Sequence, residues 1–427
     1  MKEKETRVLL VGYNGANNTG AEALLLSDIE DVRRVLGPSA RITVPSLAPQ
    51  NLRRYVREDA SLRIVPIPIL YFAALRRLVK EHDVIMLVEG STYMDTWGSV
   101  LLWAFLWATL CAARLGKRCL AYAVDVGSLS RLNRWLVRKI ASLTNLIVTR
   151  NRAALLRLAS FGVRAPMEAT ADNAFTYRTS PVDAGWPQRA WSRARDGMMG
   201  LAVVDYSLFP VVPRAWGRKE DCYKWPYYFS RSRERRRQSE RLAAGYAALA
   251  DRIAAEHGLP VALIAMEEVD ERLARAVRER MAHPEMARIF SSRVYNASQM
   301  TVLLRSLKLL VTCRYHAAVL SLAAQVPLIA VGHDLRLRTL FEDLGLLDQF
   351  FMEPRSPLVF EWLNERVDEL LARPEQVRRL LDAGHAEHLS RALRNQSLLA
   401  REMGRSLGRE PVPAPVGELA TAVGGQS

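Results

Sequence analysis

The stretch that decides the fold runs from Lys308 to Leu346 and reads KLLVTCRYHAAVLSLAAQVPLIAVGHDLRLRTLFEDLGL. Two short apolar runs within it, Leu309–Thr312 and Leu328–Val331, have the length and composition of buried strands. Each run is followed by helical spacing, first over Tyr315–Ala324 and then over Arg336–Leu344. This βαβα pattern predicts parallel strands joined by right-handed crossovers.

A polar cluster directly follows each of these strands. Arg314, Tyr315 and His316 come after the first, and His333 to Arg336, which includes Asp334, come after the second. Ligands of open parallel sheets bind beyond the carboxyl ends of the strands, and a guanidinium beside a helix N-terminus favours an anion. The spacing therefore predicts an anion site at Arg314 and His316, with helix capping or solvent exposure as the simpler alternative.

The same alternation of strands and helices extends over most of the chain, beginning with a strand at Arg7–Gly12. It predicts the α/β fold class, with two Rossmann-like domains and a cleft between them. The predicted parts are a first domain (1–178), a linker (179–197), a second domain (198–370), helices that pack across both domains (371–409) and a disordered tail (410–427).

The first strand leads into a turn rich in glycine and asparagine, GYNGANNTGAEA. Its glycines form neither the dinucleotide fingerprint nor a P-loop, so neither NAD nor P-loop chemistry is indicated. Glycine and asparagine allow the backbone to approach a ligand closely, which makes Asn18, Gly20 and Glu22 candidate binding residues. An ordinary tight turn is the alternative.

A second candidate turn follows the apolar run Val84–Val88 and contains Glu89, Gly90 and Asp95. We expect Asp95 to face the cleft, or to cap an apolar helix that begins near Trp97, and the two interpretations are compatible.

The segment 205–241 combines prolines, aromatic side chains and basic side chains. Long segments of this kind are commonly lids or binding loops. We interpret it as a lid on the second domain, with Lys219 or Lys224 reaching a ligand. Its arginine-rich end, Arg231–Arg241, is more simply the solvated start of a helix.

The composition limits the class of protein and its partners. A net charge of +15 over 427 residues favours an anionic substrate or partner. The four cysteines match no zinc spacing and indicate a reducing, cytoplasmic compartment without a metal site. The apolar run Val100–Ala113 is too short to span a bilayer, so we expect a buried helix; Trp97, Trp103 and Trp107 suggest membrane-surface contact as the alternative.

Five short motifs, in order along the chain, resemble those of the polysaccharide pyruvyl transferase family. They are the turn around Asn18 and Gly20, the segment from Glu89 to Asp95, Ala171–Phe175, Arg314-x-His316, and the Val-Pro, Asp334-x-Arg336 and Leu-Gly-Leu set that ends at Leu346. Three positions depart from the family pattern. Ala21 stands for an Asp, Glu89 for a Gly and Arg336 for a Lys.

The resemblance implies a GT-B-like arrangement that transfers a pyruvyl group from phosphoenolpyruvate to a saccharide and forms a cyclic ketal. It assigns the acceptor to the first domain and the donor to the second. Arg314, with Arg336 second, would bind the donor, and His316 would move a proton. Glu22, Glu89 or Asp95 would accept the proton of a sugar hydroxyl. No cofactor beyond the donor is expected. A lipid-linked acceptor would bring the protein to the inner face of an anionic membrane.

Three other functions stay open. A nucleotide-sugar glycosyltransferase of the same architecture would need a carboxylate for the ribose at the strand ends of the second domain, where the sequence is mainly basic. A non-catalytic binder of acidic glycan or nucleic acid would use segment 205–241, and nucleic acid is the less favoured partner. The departures at Ala21, Glu89 and Arg336 are also compatible with a family member that has lost activity. No oligomeric state is predicted.

Overall fold

The computed structural model describes residues 5–407, apart from 97, 209–210, 226, 231 and 333. The predictions made for Trp97, for His333 and for the tail at 410–427 therefore lie outside the described residues.

In the described part of the chain, the first domain is built on one sheet of seven parallel strands in the order β3-β2-β1-β4-β5-β6-β7. The strands are β1 (Thr6–Val11), β2 (Ala40–Ser46), β3 (Leu62–Pro66), β4 (Val84–Leu87), β5 (Arg118–Val124), β6 (Leu146–Thr149) and β7 (Met167–Ala169). The helices are α1 (Thr19–Leu36), α2 (Pro49–Leu52), α3 (Phe72–Glu81), α4 (Val100–Arg114), α5 (Arg131–Ile140) and α6 (Arg152–Ser160). Helices α3 to α6 cover one face of the sheet, and α1 covers the other.

The described second domain has six parallel strands in the order β13-β12-β8-β14-β15-β16. They are β8 (Met199–Ala202), β12 (Val261–Ala265), β13 (Ala287–Ser291), β14 (Leu309–Thr312), β15 (Leu328–Val331) and β16 (Phe351–Met352). The helices are α7 (Trp186–Ala190), α8 (Arg233–His257), α9 (Glu271–Arg280), α10 (Ala297–Arg305), α11 (Tyr315–Leu322), α12 (Leu335–Asp343), α13 (Leu347–Phe350), α14 (Val359–Ala372) and α15 (Glu375–Leu407). Strands β14 and β15 pair in parallel, with Val311 opposite Ile329, which confirms the fold class predicted from this stretch.

Segment 205–241 forms a small antiparallel sheet in the order β10-β11-β9, from β9 (Val211–Pro213), β10 (Cys222–Lys224) and β11 (Tyr227–Phe229). It touches the first domain through Tyr227, whose hydroxyl accepts a hydrogen bond from the Ser99 N–H at 3.2 Å. The Tyr227 ring packs on Gly98, where a Cβ would come within 2.6 Å of it. The small sheet therefore bridges the two domains beside the cleft. The arginine-rich end of the segment is the exposed start of α8.

Helix α4 is mainly a core helix, as its length and composition predict. Its buried side chains include Phe105, Leu106 and Cys111. Its two described tryptophans are tied to neighbours, because Trp103 Nε1 donates to Asn133 Oδ1 and Trp107 Nε1 donates to the Phe72 carbonyl. Within the described ranges, no helix combines the length and apolarity that a membrane span requires.

The segment between the two sheets is structured and belongs to the second domain. Trp186 of α7 and Ala194 are buried in that domain's core. Ser298 ties the segment to α10, because its hydroxyl accepts from the Ser180 N–H at 2.8 Å and bonds to Asp183. This packing shows why residues 179–197 lack helical periodicity without being an extended connection.

Candidate functional site

The two sheets point the carboxyl ends of their strands at each other, and His316 lies where they meet. His316 is in the first turn of α11, directly after β14, as the sequence predicts. A Cβ placed on Gly20 would come within 2.0 Å of His316 Nδ1, so the Gly20 backbone packs against the imidazole ring. His316 Nε2 lies 3.5 Å from Asp172 Oδ2 of the first domain. The structure thus brings Gly20 and His316 together across the domain boundary.

Arg150, at the end of β6, forms the charged centre of the first domain's side of the site. It is fully buried, and its guanidinium donates to Asp125 at 2.8 Å and to Asp172 at 2.6 Å. Its Cζ lies 4.6 Å above the ring of Tyr315 from the second domain. Although burial opposes ionisation of Asp172, Arg150 and His316 hold the pKa of its carboxyl below the usual range.

Glu89 and Gly90 complete this cluster at the end of β4. A Cβ at Gly90 would come within 2.6 Å of Arg150 Nη1, so the Arg150 guanidinium needs glycine at that position. Glu89 is buried and accepts hydrogen bonds from the Ser91 N–H and hydroxyl through Oε1. Burial raises the pKa of Glu89, while the charges of His316 and Arg150 oppose the rise.

Three buried polar atoms of this cluster have no hydrogen-bond partner among the described residues. They are Glu89 Oε2, Arg150 Nη2 and His316 Nε2. Buried polar atoms are normally satisfied, and an unsatisfied one is explained by strain, a catalytic role, or a bound water or ion. An acceptor, a guanidinium donor and an imidazole in one cluster suit a small polar ligand. We refer to Glu89, Gly90, Arg150, Asp172 and His316 as the central cluster.

Arg314 precedes His316 and forms a buried ion pair within the second domain. Its Nε donates to Asp270 Oδ2 at 2.9 Å, its Nη2 bonds the other Asp270 oxygen, and its Nη1 lies 3.5 Å from Glu267 Oε2. Burial raises the pKa of Asp270 to about 6, against the opposing charge of Arg314. The Arg314 side chain makes no helix-capping hydrogen bond, so that alternative is wrong.

Asp334 and Arg336 also pair with each other after β15. Asp334 caps α12 by accepting from the Arg336 N–H at 2.9 Å, and its carboxylate takes the Arg336 guanidinium as a bidentate partner. The sequence predicted that the strand ends of the second domain are mainly basic. The structure contradicts this prediction, because carboxylates lie beside the arginines there. Each arginine there has its own carboxylate, Asp270 for Arg314 and Asp334 for Arg336.

Asn18 and Glu22 bind the first domain to the second. Asn18 caps α1 by accepting from the Ala21 N–H at 3.1 Å, and the next residue, Thr19, donates its N–H to the Met266 carbonyl. Glu22 Oε2 accepts from the Ala297 N–H of α10 at 3.0 Å, and its Oε1 lies 3.5 Å from Arg54 Nη2. These contacts make Asn18 and Glu22 interface residues.

The buried position of Glu22 predicts a pH effect on stability. Burial raises its pKa to about 8, although Arg54 and the Ala297 N–H oppose the rise. A carboxyl with a raised folded pKa contributes stability that is present below its unfolded pKa of about 4.5 and is lost as the pH rises through about 8. We expect Glu22→Gln to gain stability relative to wild type from pH 5 to pH 8, by at most about 1.4 kcal/mol per pH unit. Urea unfolding at several pH values measures this; a constant difference would contradict it.

Asp95 holds the first turn of α5 in place. Its Oδ2 accepts from the Ser130 N–H at 2.9 Å and from Asn133 Nδ2 at 2.7 Å. Helix α4 begins later than predicted and has Ser99, not Asp95, at its N-cap position. The expectation that Asp95 caps α4 is therefore wrong. The carboxylate satisfies the first turn of the neighbouring helix instead.

A cleft of about 480 Å³ lies beside the small sheet. Lys219 is exposed at this cleft, and Lys224 belongs to β10. Its lining combines aromatic and charged side chains with one residue of the glycine-rich turn, and includes Ala16, Tyr223, Phe229, Glu267, Arg272 and Arg293. Because Glu267 also contacts Arg314, the cleft leads directly to the predicted anion site.

Four residues of the site were not predicted as site residues from the sequence: Asp125, Arg150, Asp172 and Asp270, although Asp172 lies in the Ala171–Phe175 motif and Arg150 stands at a strand end where the family often has arginine. Asp125 and Arg150 directly follow β5 and β6, and Asp172 comes three residues after β7, so the rule that ligands bind at the carboxyl ends of parallel strands could have found them. Asp270 lies 44 positions before Arg314 and carries no signal that links it to that arginine.

The two parallel-sheet domains with facing strand ends define a GT-B-like α/β protein. Solved structures similar to this chain share that fold. A protein described as a UDP-N-acetylglucosamine 2-epimerase from Listeria monocytogenes aligns over 96% of this chain and 98% of its own, with TM-score 0.61 and 13% identity. S. aureus MnaA with UDP aligns over 95% and 97%, with TM-score 0.62 and 10% identity. A glycosyltransferase from Rickettsia africae aligns over 96% and 100%, with TM-score 0.55 and 10% identity. At these identities the likeness concerns the fold alone.

The family model for polysaccharide pyruvyl transferases matches residues 18–334, which is well over half of the chain. The chain belongs to the polysaccharide pyruvyl transferase family. No curated protein matches it. The matched range includes the glycine-rich turn from Asn18 onward, the central cluster and Arg314.

Proposed function

We propose that the protein transfers the pyruvyl group of phosphoenolpyruvate to two hydroxyls of a saccharide. The observation that carries the proposal is the central cluster, where Glu89, Arg150 and His316 keep buried polar atoms without partners in the described chain. Membership of the family supports the reaction class, and the arginine beside His316 supports an anionic donor.

The proposed reaction balances without a further reactant. A proton adds to the methylene carbon of phosphoenolpyruvate, and a sugar hydroxyl attacks the resulting oxocarbenium-like carbon. The C–O bond to phosphate then breaks, inorganic phosphate leaves, and the second hydroxyl closes the ketal on the same carbon. Of the two hydroxyl protons, one is accounted for by the new methyl group and the other by the released phosphate.

The proposed roles follow from the position of each side chain. His316, whose Nε2 lies 3.5 Å from Asp172, donates the proton to the donor's methylene carbon, because an imidazole near neutral pH can both release and take up a proton. Arg314 binds the donor's carboxylate or phosphate with the donors that Asp270 leaves free, and Arg336 is the second cation.

Among the three predicted carboxylates, Glu89 is the proposed general base. Glu22 already accepts from the Ala297 N–H and pairs with Arg54, and Asp95 is occupied by Ser130 and Asn133. Glu89 keeps one buried oxygen without a partner in the described chain, and its pKa is raised by burial. A carboxyl with a raised pKa accepts a proton more readily near neutral pH.

The saccharide is proposed to enter through the 480 Å³ cleft beside the small sheet. Tyr223 and Phe229 offer aromatic faces there, and their ring centroids lie 5.8 Å apart. Lys219 adds a positive charge at the entrance, which suits an acidic or phosphorylated saccharide.

We expect phosphoenolpyruvate to bind saturably to the wild type and at least about 30-fold more weakly to Arg314→Ala, since a buried charged hydrogen bond contributes roughly 2–5 kcal/mol. Calorimetry on protein shown to be folded by circular dichroism measures this. Arg314→Lys, which keeps the charge near Asp270, serves as the matched variant and is expected to bind with intermediate affinity.

Binding of a UDP-sugar instead of phosphoenolpyruvate would replace the proposal with a nucleotide-sugar reaction. A nucleotide-sugar glycosyltransferase needs a carboxylate for the ribose at the strand ends of the second domain. Asp334 and Glu267 are carboxylates at these strand ends, each paired with an arginine, so this second function is also tested. Release of phosphate that depends on an acidic saccharide, together with a ketal in the product, would establish the proposed reaction.

A further inference from the structure

Four neighbouring helices of the first domain present an unusually basic surface. Helices α3, α4, α5 and α6 all cover the same face of the sheet, and α4 contacts both α3 and α5. Over their four ranges they contain ten lysines and arginines and a single acidic residue, Glu81. Nearly all of these basic side chains are exposed. We refer to the solvent side of α3–α6 as the basic face.

The basic face also exposes large apolar side chains. Leu132 and Trp135 on α5 are 61% and 56% exposed, and Leu156 on α6 is 56% exposed. Leu132 and Trp135 are three residues apart, so they lie on one side of α5. Arg131 and Arg138 flank them on the same exposed stripe. Large apolar side chains surrounded by arginines and lysines are typical of helices that lie in a membrane interface.

We propose that the basic face docks the protein on an anionic lipid surface, with Leu132, Trp135 and Leu156 entering the headgroup region. The docking helix is thus α5, and not α4, whose described tryptophans are tied to Asn133 and Phe72. Charge complementarity selects the occupant. A second copy of the same face would bring like charges together, and the exposed leucines have no role in reading phosphates or bases.

The basic face ends beside the central cluster, so docking would bring that cluster close to the lipid headgroups. Helices α5 and α6 begin at Arg131 and Arg152, shortly after Asp125 and Arg150 at the ends of β5 and β6. Asp95 fixes the first turn of α5, and Asn133 ties the same turn to Ser99 of the neighbouring helix. A saccharide carried on a lipid would therefore meet the cleft from this side. This placement, unlike the docking itself, rests on the proposed function.

The test is co-sedimentation of the full chain with vesicles of phosphatidylcholine and phosphatidylglycerol (70:30) and with phosphatidylcholine alone, in 0.1 M salt. We expect binding to the anionic vesicles and little to the neutral ones. The variant R131Q/R138Q/K139Q is expected to weaken the partition roughly 100-fold. The control R233Q/R236Q/R237Q removes the same charge from the exposed start of α8 on the other domain and should change it less than threefold.

The apolar part of the proposal has its own variant. L132S/W135S keeps every charge and should remove the binding that persists in 0.5 M salt, while the binding in 0.1 M salt is only reduced. Circular dichroism confirms that each variant is folded. The proposal is overturned if the wild type does not bind anionic vesicles, or if both triple variants lose binding equally. Two further outcomes would overturn it. A nucleic-acid partner is indicated if single-stranded RNA displaces the protein from vesicles at a lower concentration than free phosphatidylglycerol vesicles do. A second copy of the chain is indicated if L132S/W135S converts a dimer to a monomer in light scattering without changing vesicle binding. The test measures lipid binding and not pyruvyl transfer. Membrane docking can therefore be confirmed or excluded even if the proposed function is wrong.

Discussion

Glu89→Gln is expected to lower the rate of ketal formation by about 10²- to 10⁴-fold, the usual contribution of a general base. Glutamine retains the size of the side chain and can still accept from Ser91 through its amide oxygen, so the fold and donor binding should change little. The amide cannot take the proton of the sugar hydroxyl. We therefore expect kcat to fall while the dissociation constant of phosphoenolpyruvate stays within about threefold.

The pH profile separates this role from a structural one. Because burial raises the pKa of Glu89, the wild-type rate should rise with pH as this carboxyl loses its proton, and the glutamine variant should lack that limb. Glu22→Gln is the matched control, since Glu22 is also a buried carboxyl with a raised pKa but lies in the domain interface. Glu89→Gly, which introduces the residue usual in the family, gives the opposite test: a faster reaction in that variant would mean that Glu89 obstructs the site.

Arg150→Leu is expected to cost about 3–5 kcal/mol of the free energy of unfolding. The substitution leaves Asp125 and Asp172 as two buried carboxylates without their counter-charge, and breaking a buried ion pair from one side carries a penalty of that size. Urea unfolding at neutral pH measures the loss. The stacking of the guanidinium over Tyr315 would also be lost, which weakens the contact between the domains.

Arg152→Leu is the control for this prediction. Arg152 is exposed at the start of α6, and a surface substitution there should stay within about 0.5 kcal/mol of the wild type. A cost below about 1 kcal/mol for Arg150→Leu would show that Asp125 and Asp172 find other partners or take up protons without penalty. Lowering the pH should reduce the cost, because protonation removes the uncompensated charge.

The strands and helices around Arg314 could be predicted because buried parallel strands and amphipathic helices leave periodic patterns in the sequence. The same logic placed Arg314, His316 and Asp334 at the carboxyl ends of β14 and β15. The pairing of these side chains could not be predicted in this way. Asp270 neutralises Arg314 from 44 positions away, and Arg150 reaches Asp172 from another strand end, so only the tertiary fold brings the partners together.

The small sheet and the role of Asp95 show a second limit. Strands of three residues, such as Val211–Pro213 and Tyr227–Phe229, are too short for an alternating pattern to distinguish them from a loop. For Asp95, the sequence offered the nearest following helix as its partner. The carboxylate instead binds the first turn of α5, which lies next to it only because the loops after β4 and β5 pack together.

Helix α15 has a mechanical consequence for how the cleft can change width. It is a continuous helix of 33 residues, about 50 Å long, anchored by Val377 and Leu381 in one core and by Leu399 and Met403 in the other. Separating the domains would require this helix to bend or would expose those side chains to solvent. A rotation of one domain relative to the other about the axis of α15 would cost less free energy. We therefore expect the distance between the two domains to stay nearly constant when a ligand binds between them.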